Sequence, residues 1–266
     1  MASFGAKFPC FSKIVSEPTG ALPVYDTPVV IGRLIKAELT VTNASGQLFA
    51  DDALAESVDE FSSGSIEMET DDMLDDVAAE VYGCTVEGKC VHYKRGDSAP
   101  KGGLAYYKAL MRRGVKLYKG YFYPYVKAVL GNDNAETKSD KISFGTTATT
   151  FTVFGAESDD WRITEEFQTE AEAKAWVLTQ LGGGSAATPT ASPEAGAVAS
   201  GTSVKLSCTT EGAAIHYTLD GSEPTEASDT FTEDIQITEA VTIKAKAFAD
   251  GHIPSDTLSA EYTVSP

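Results

Sequence analysis

A segment of small and polar residues interrupts the chain and limits how the rest can fold. Residues 182–203 read GGGSAATPTASPEAGAVASGTS, and Glu194 is their only charged residue. Gly, Ser, Ala, Thr and Pro bury too little apolar surface to build a core, so the segment is predicted to be a flexible linker. The sequence therefore predicts two domains, a large one over residues 1–181 and a small one over residues 204–266.

Charge is distributed unevenly along the chain. The protein has 39 Asp and Glu residues against 21 Lys and Arg residues, a formal net charge of −18. No basic residue lies between Lys36 and Lys89, whereas most of the basic residues fall between positions 89 and 141. These stretches are either differently solvated faces of one domain or complementary surfaces that meet between subunits. The candidates for intersubunit charge pairs are Asp51, Asp52, Arg112 and Arg113.

The same charge balance excludes several classes of protein. An excess of carboxylates argues against sequence-specific nucleic-acid binding and against an anionic membrane partner. No apolar run is long enough to span a bilayer, and the start, MASFGAKFPCF, lacks the pattern of a secretory signal. Four cysteines do not make a disulfide framework, so synthesis in a reducing cytoplasm is expected.

Hydrophobic periodicity predicts a mainly β protein. In SIEMET (65–70), Ile66 and Met68 alternate with Glu67 and Glu69, which places the two pairs on opposite faces of a strand. The other predicted strands of the large domain are Val29–Thr42, 115–130 and 141–154. Those of the small domain, 204–208, 214–220, 235–237, 241–249 and 260–264, predict a small sandwich.

Two helices interrupt the strands of the large domain. The first is predicted over Asp71–Tyr82, with Thr70 as its N-cap and Gly83 at its end. The second is predicted over Glu170–Leu181, where Thr169 and Glu172 have the spacing of a capping box. Both helices carry an apolar stripe, which is typical of packing against a core.

Motifs for catalysis or metal binding are missing from the sequence. The chain has three histidines and no HExxH, GxSxG or Walker A pattern, so no enzyme activity and no cofactor are expected. Cys84, Cys90 and His92 offer soft ligands but lack the paired spacing of a structural zinc site. They are interpreted as structural thiols near a turn, with a labile Cys84–Cys90 bridge as the alternative in an oxidising environment.

Four segments of the large domain resemble, in order, the major tail proteins of siphophages. They read LFADDALAESVDEFSSGSIEMETDDM (48–73), YKGYFYPYVKAVL (118–130), AETKSDKISFGTTATTFTV (135–153) and WRITEEFQTEAEAKAWVLTQL (161–181). The resemblance implies a β-sandwich or partial barrel with flanking α-helices, and subunits that form stacked, usually hexameric rings. It also implies a tape-measure protein, a tail terminator and distal tail proteins as partners, location in the virion tail, and assembly in the host cytoplasm.

A tube that conducts DNA must not bind it, and carboxylates on the inner wall would repel phosphate. On this hypothesis DNA passes through the lumen without specific binding. The lumen-facing candidates are Glu67, Glu69, Glu56 and Asp59.

The small domain resembles the immunoglobulin-like C-terminal domain of chitobiases and β-hexosaminidases. The resemblance rests on IHYTLDGSEPT (215–225) and VTIKAKAFADGHIPSDTLSAEYTV (241–264). That module has no catalytic residues, so no hexosaminidase activity follows from the resemblance. A flexible tether of about 20 residues would let the domain project from a tube exterior, either as decoration or for weak adhesion to host surface glycans. The candidate contacts are His216 and Tyr217. The alternative functions are a secreted or surface carbohydrate-binding module and a tube subunit of a phage-derived, DNA-free particle.

Overall fold

The chain folds into two compact units. The computed structural model describes residues 2–50, 53–88, 90–129, 146–155 and 158–265. Unit 1 comprises Met1–Gly182 and unit 2 comprises Gly183–Pro266. Both are built mainly of β-strands, which confirms the predicted fold class of a mainly β protein with a small immunoglobulin-like domain.

Unit 1 contains eleven strands and two helices in its described residues. In chain order they are β1 (Ala2–Ser16), β2 (Val24–Tyr25), β3 (Val29–Val30), β4 (Leu34–Ala50), β5 (Ala53–Thr70), α1 (Asp75–Tyr82), β6 (Thr85–Glu87), β7 (Cys90–His92), β8 (Lys101–Arg112), β9 (Val115–Val129), β10 (Thr147–Val153), β11 (Ile163–Phe167) and α2 (Glu170–Gln180).

One antiparallel sheet organises unit 1. Its order is β2-β1-β8-β9-β10-β5-β4, with β3 added to β1 and β11 added to β9 beside β10. Strands β1 and β4 approach each other without pairing, so the sheet curls into an incompletely closed barrel. Pro124 lies at an irregularity of this sheet, because the β8–β9 register shifts between Gly102 and Leu104, opposite Pro124.

The core of unit 1 lies on one face of this sheet and is covered by α1. Phe11, Ile66, Leu104 and Phe151 from four strands are fully buried there, and Val81 of α1 packs among them. Large apolar side chains on alternate strand positions thus face the helix, as the period-2 pattern predicts.

Helix α1 begins four residues later than the sequence predicts. The expected start at Asp71 with a Thr70 cap is wrong, because Thr70 is still paired in β5. The Asp71 carboxylate accepts a hydrogen bond from the Arg33 amide at 2.8 Å, and the Asp71 amide donates to the Arg33 carbonyl at 3.1 Å. These bonds extend the strand pairing and delay the helix until Asp75, where Leu74 occupies the N-cap without a side-chain bond.

Helix α2 packs on the opposite face of β8 and β9 and has the predicted capping box. The Thr169 hydroxyl accepts from the Glu172 amide at 3.3 Å, and the Glu172 carboxylate accepts from the Thr169 amide at 3.0 Å. The Trp176 ring lies directly over Gly120, where a Cβ atom would stand only 2.5 Å from the ring. Strand β8 is therefore buried on both faces.

Unit 2 is a sandwich of two sheets. Its strands are β12 (Thr190–Ser192), β13 (Gly196–Ala199), β14 (Thr202–Ser207), β15 (Ala214–Thr218), β16 (Asp229–Thr230), β17 (Ile235–Ile237), β18 (Val241–Phe248) and β19 (Leu258–Ser265). One sheet has the order β12-β14-β17 and the other the order β13-β19-β18-β15-β16. Val204, Ile237, Ile243 and Tyr262 are buried between the sheets.

The predicted flexible linker over residues 182–203 is wrong, because most of this segment belongs to unit 2. Strand β12 pairs antiparallel with β14, and β13 pairs parallel with β19. The Tyr262 hydroxyl donates to the Pro193 carbonyl at 2.7 Å. The segment has little apolar surface, but its backbone groups and small side chains complete both sheets, so the unit begins near residue 183 and not at 204.

Candidate functional site

The hairpin of β4 and β5 extends well beyond the strand beside it. Strand β10 pairs only with Gly64–Thr70 of β5, so the outer part of the hairpin is a two-stranded ribbon. The other edge of β4, a strand of 17 residues, has no paired strand among the described residues. A long unpaired edge is a template for another strand, and a two-stranded ribbon alone is only marginally stable. The hairpin is therefore suited to pairing with another chain.

Exposed apolar side chains lie along the same hairpin. Ile35, Val41 and Val58 retain 53%, 41% and 52% of their accessible surface. At the other end of the sheet, Phe4 in β1 and Val24 in β2 are also exposed. Single exposed apolar side chains are ordinary on a protein surface, so what matters is their position beside unpaired strand edges. Both ends of the sheet thus have features of an interface.

Glu67 and Glu69 lie on the face of β5 that points away from the core. Their neighbours Ile66 and Met68 are buried, as the alternation in the sequence predicts. Glu67 is exposed and lies opposite Glu38 of β4, and Glu69 lies opposite Lys36. We call Glu38, Glu67 and Glu69 the acidic face.

Lys36 neutralises part of this acidic face. Its ammonium group lies 2.7 Å from the Glu38 carboxylate. The hydrogen bond and charge of Glu38 raise the pKa of Lys36, with smaller contributions from Glu69 and Glu67, and Lys36 in turn lowers the pKa of Glu38. Within the part of the chain that the structure describes, three carboxylates act on this one ammonium group, so the face has an excess of negative charge there.

The four predicted lumen residues do not share one face. The β4–β5 register shifts by one residue between Thr42 and Asn43, so that Ser63 pairs with Thr42 and Phe61 with Asn43. This bulge reverses the faces, and Asp59 lies on the side of Phe61, which packs against the core, and not on the side of Glu67. The backbone of Glu56 pairs with Leu48, but its side chain lies outside the described residues.

The predicted intersubunit charges are only partly described. Asp51 and Asp52 lie outside the described residues. Arg112 bonds within its own chain, with a guanidinium nitrogen 2.9 Å from the Glu166 carboxylate. Arg113 is exposed in the two-residue turn between β8 and β9, where Arg113 and Gly114 have φ angles of 49° and 82°. Positive φ at both positions is typical of a type I′ hairpin turn.

His216 and Tyr217 do not form one contact surface, because adjacent residues of β15 point to opposite faces. The His216 ring donates from Nδ1 to the Ser228 carbonyl at 2.8 Å and packs edge-on against Phe248. Tyr217 packs against Phe231 at the core of unit 2 and lines a shallow cavity of about 350 Å³. His216 thus has a structural environment, whereas Tyr217 borders an open surface.

Sequence reasoning missed a cluster of basic and aromatic side chains on β8 and β9. Tyr106 lies opposite Tyr121, and Lys108 lies opposite Lys119. The sequence does contain a signal for this cluster, namely the two-residue turn after Arg112, because such a turn fixes the register of the two strands that it joins. In that register, Arg112 pairs with Val115, and Lys108 therefore pairs with Lys119.

Within the described ranges, no three His, Cys, Asp or Glu side chains form a group that could hold a metal ion. Cys84 is buried, Cys90 is exposed, and both are free thiols. Neither of the two described helices is long and apolar enough to cross a bilayer.

Comparison with known proteins identifies one region of similarity. Residues 193–259 match the family model of the chitobiase/β-hexosaminidase C-terminal domain. The match begins inside the segment predicted to be a linker, in agreement with the strands found there. This domain is the non-catalytic part of such enzymes, and it fits a surface or adhesion module. A search of curated proteins gives no match.

Proposed function

We propose that the chain is a structural subunit that polymerises into stacked rings, as the resemblance of residues 48–181 to siphophage major tail proteins implies. The observation that carries the proposal is the 17-residue edge strand β4, which has no paired strand beyond it among the described residues. An isolated subunit would expose this edge, and ring closure would pair it.

The two ends of the sheet suit a head-to-tail contact. One end presents β4 with exposed Ile35 and Val41, and the other presents β1 and β2 with exposed Phe4 and Val24. A contact between two different surfaces generates a ring if the rotation closes. The proposed rings are hexameric, and their partners are the tape-measure, tail-terminator and distal tail proteins of a virion.

The acidic face supplies a mechanism for DNA passage. Glu38, Glu67 and Glu69 point away from the core on neighbouring strands, and among the described residues Lys36 is the cation paired there. A lumen wall of this composition repels phosphate and offers few cations for counterion release. A cryo-EM map of the assembled particle with these side chains on its outer wall would contradict this assignment.

Negative-stain microscopy of the purified chain tests the assembly. Stacked rings or hollow tubes are expected both for the full chain and for a chain lacking residues 183–266, because all the proposed assembly surfaces lie in unit 1. Monodisperse monomers over a wide concentration range would refute the proposal. Loss of tubes only in the shortened chain would show that unit 2 is part of the assembly.

A second candidate function is a secreted or surface module that binds carbohydrate, and the family match of residues 193–259 favours it. On this proposal Tyr217 and the cavity beside it contact a glycan. Sedimentation with insoluble chitin or bacterial cell wall tests the idea, with Tyr217→Ala expected to reduce binding and Lys205→Ala, on another strand, as the matched control. Both functions are compatible if unit 2 is displayed on a tube exterior.

A further inference from the structure

The cluster on β8 and β9 holds two lysines against each other. Lys108 and Lys119 are directly opposite in neighbouring strands, where like charges repel. Their ammonium groups lie 5.1 Å and 6.0 Å from the centre of the same Tyr121 ring. Lys108 also lies 5.5 Å from the Tyr106 ring. Cation–π contacts of this kind offset only part of the repulsion.

Two arginines add to the positive charge of this cluster. Arg162 stacks on Trp161, with its guanidinium carbon 4.7 Å from the ring centre. The positive charge of Arg162 helps to lower the pKa of Lys108. The Glu166 carboxylate forms ion pairs with two cations of this cluster, at 2.9 Å from Arg112 and 4.0 Å from Lys119.

Lys108 is left without a carboxylate among the described residues. It is half-buried, and burial together with the charge of Arg162 lowers its pKa. A partly buried ammonium group without a counter-charge destabilises the isolated chain, and a carboxylate supplied from outside would remove that cost.

The hairpin of β4 and β5 offers such a carboxylate. Asp59 is exposed and has no ion pair within the described part of the chain. The bulge after Thr42 turns it away from the acidic face, so the proposed lumen makes no use of it. Among the described residues, the part of the hairpin that carries Asp59 pairs with no third strand.

We propose that Lys108, Lys119 and Arg162 form a cationic cradle that receives Asp59 from the β4–β5 hairpin of a second copy of the chain. This inference rests on the proposed self-assembly and names the contact that holds neighbouring subunits in register. A carboxylate inserted between Lys108 and Arg162 would meet two cations, and opposite charges at such a contact select orientation and exclude wrong partners.

Isotope-coded cross-linking tests the contact directly. Equal amounts of ¹⁴N- and ¹⁵N-labelled chains are mixed in the monomeric state, assembled, and treated with a carbodiimide, which joins a lysine to a carboxylate only when they touch. The expected product links Lys108 or Lys119 to Asp59 in mixed-isotope form. If every cross-link of Asp59 joins two residues that carry the same isotope, the contact lies within a single chain and the inference is overturned.

A charge swap supplies the second measurement. Lys108→Glu and Asp59→Lys should each raise the concentration needed for assembly by on the order of tenfold, which corresponds to about 1.4 kcal/mol. The double variant should recover most of this loss, which a folding defect would not do. Lys116→Glu is the matched control, since Lys116 is exposed and alternates to the other face of β9, away from Lys119. It should assemble as the unchanged chain does.

The outcomes separate this inference from the proposed function. If tubes form, but no mixed cross-link appears and Lys108→Glu has no effect, the cradle proposal is overturned. The proposed tube function then still stands. Mixed cross-links in particles that are not tubes support the cradle and refute the tube. A DNA duplex that binds in a Lys108-dependent way, with no mixed cross-link, would show that the cradle takes phosphate and overturn the assignment of Asp59.

Discussion

Close packing around single glycines fixes the position of α2. A Cβ atom at Gly120 would lie 2.5 Å from the Trp176 ring, and one at Gly103 would lie 2.7 Å from both Leu181 and Tyr25. Real Cβ atoms do not come this close to carbon, so the helix can reach β8 and β9 only because these positions carry no side chain.

The variant Gly120→Ala tests this packing. Because the Trp176 ring must move to admit a methyl group, the free energy of unfolding should fall by about 1–3 kcal/mol. Urea denaturation monitored by tryptophan fluorescence measures the change. Gly96→Ala is the matched control, since a Cβ atom there meets nothing within 4 Å, and it should leave the midpoint nearly unchanged.

Glu170 connects α2 to β1, β8 and β9. Its carboxylate accepts hydrogen bonds from the Lys7 ammonium at 2.9 Å, the Tyr107 hydroxyl at 2.8 Å and the Tyr118 hydroxyl at 3.3 Å. These bonds, that of Lys7 first, hold the pKa of Glu170 below its ordinary value of 4.5. A lowered pKa means that the ionised form stabilises the fold.

The variant Glu170→Gln should therefore lose stability in a pH-dependent way. Above pH 4.5, the free energy of unfolding of the variant should be lower than that of the unchanged chain by about 0.5–1 kcal/mol, the size expected for a partly exposed group. The difference should shrink as the pH falls through the lowered pKa, because the unchanged carboxylate then gains a proton. Denaturation midpoints across this range measure it, and Glu165→Gln, an exposed residue of β11, is the control for removal of a carboxylate.

Alternation in the sequence predicted the orientation of some residues and not of others. It placed Ile66 and Met68 inside and Glu67 outside, because period 2 holds wherever a strand pairs regularly. It could not place Asp59, because a one-residue bulge leaves no mark in the composition of the strand. The cluster around Lys108 depends on register between strands, which single-strand patterns do not carry.

At the scale of elements, local signals predicted α2 better than α1. The capping box of Thr169 and Glu172 is a local hydrogen-bond pattern, and it forms where the sequence places it. Asp71 is equally suited to a helix start, but its carboxylate bonds the Arg33 amide in the neighbouring chain segment instead. A tertiary contact outcompetes the local preference there.

The segment before β14 is the largest disagreement between sequence and structure. Its Gly, Ala, Ser and Thr residues predict a linker, yet β12 and β13 lie there and pair with β14 and β19. Backbone hydrogen bonds need no particular side chain, so composition alone could not distinguish an edge strand from a linker.

Deletion of residues 183–203 tests this assignment. Unit 2 should lose its cooperative thermal transition, because β12 and β13, the bond from Tyr262 to Pro193 and the bond from Ala186 to Ile253 are all removed. The transition of unit 1 should persist, as it should in a chain lacking residues 183–266. Calorimetry resolves the two transitions. An unchanged transition of unit 2 would mean that the segment is a linker after all.

At the scale of the whole molecule, the two units differ in their surfaces. In its described residues, unit 1 has a curled sheet whose β4 edge is unpaired, an acidic face and a cationic cluster, and the proposed self-association rests on these features. Unit 2 is an immunoglobulin-like sandwich similar to a non-catalytic domain of glycan-processing enzymes. The excess of carboxylates is present in both, and it favours solubility and avoidance of DNA over binding to it.

On the proposed function, β4 is the edge through which subunits join. Hydrogen–deuterium exchange of the amides in Leu34–Thr42, compared between the monomer and the assembled particle, tests it most directly. Amides of β4 that do not bond to β5 are expected to exchange quickly in the monomer and to become strongly protected on assembly. Tubes in which these amides exchange as fast as in the monomer would contradict it.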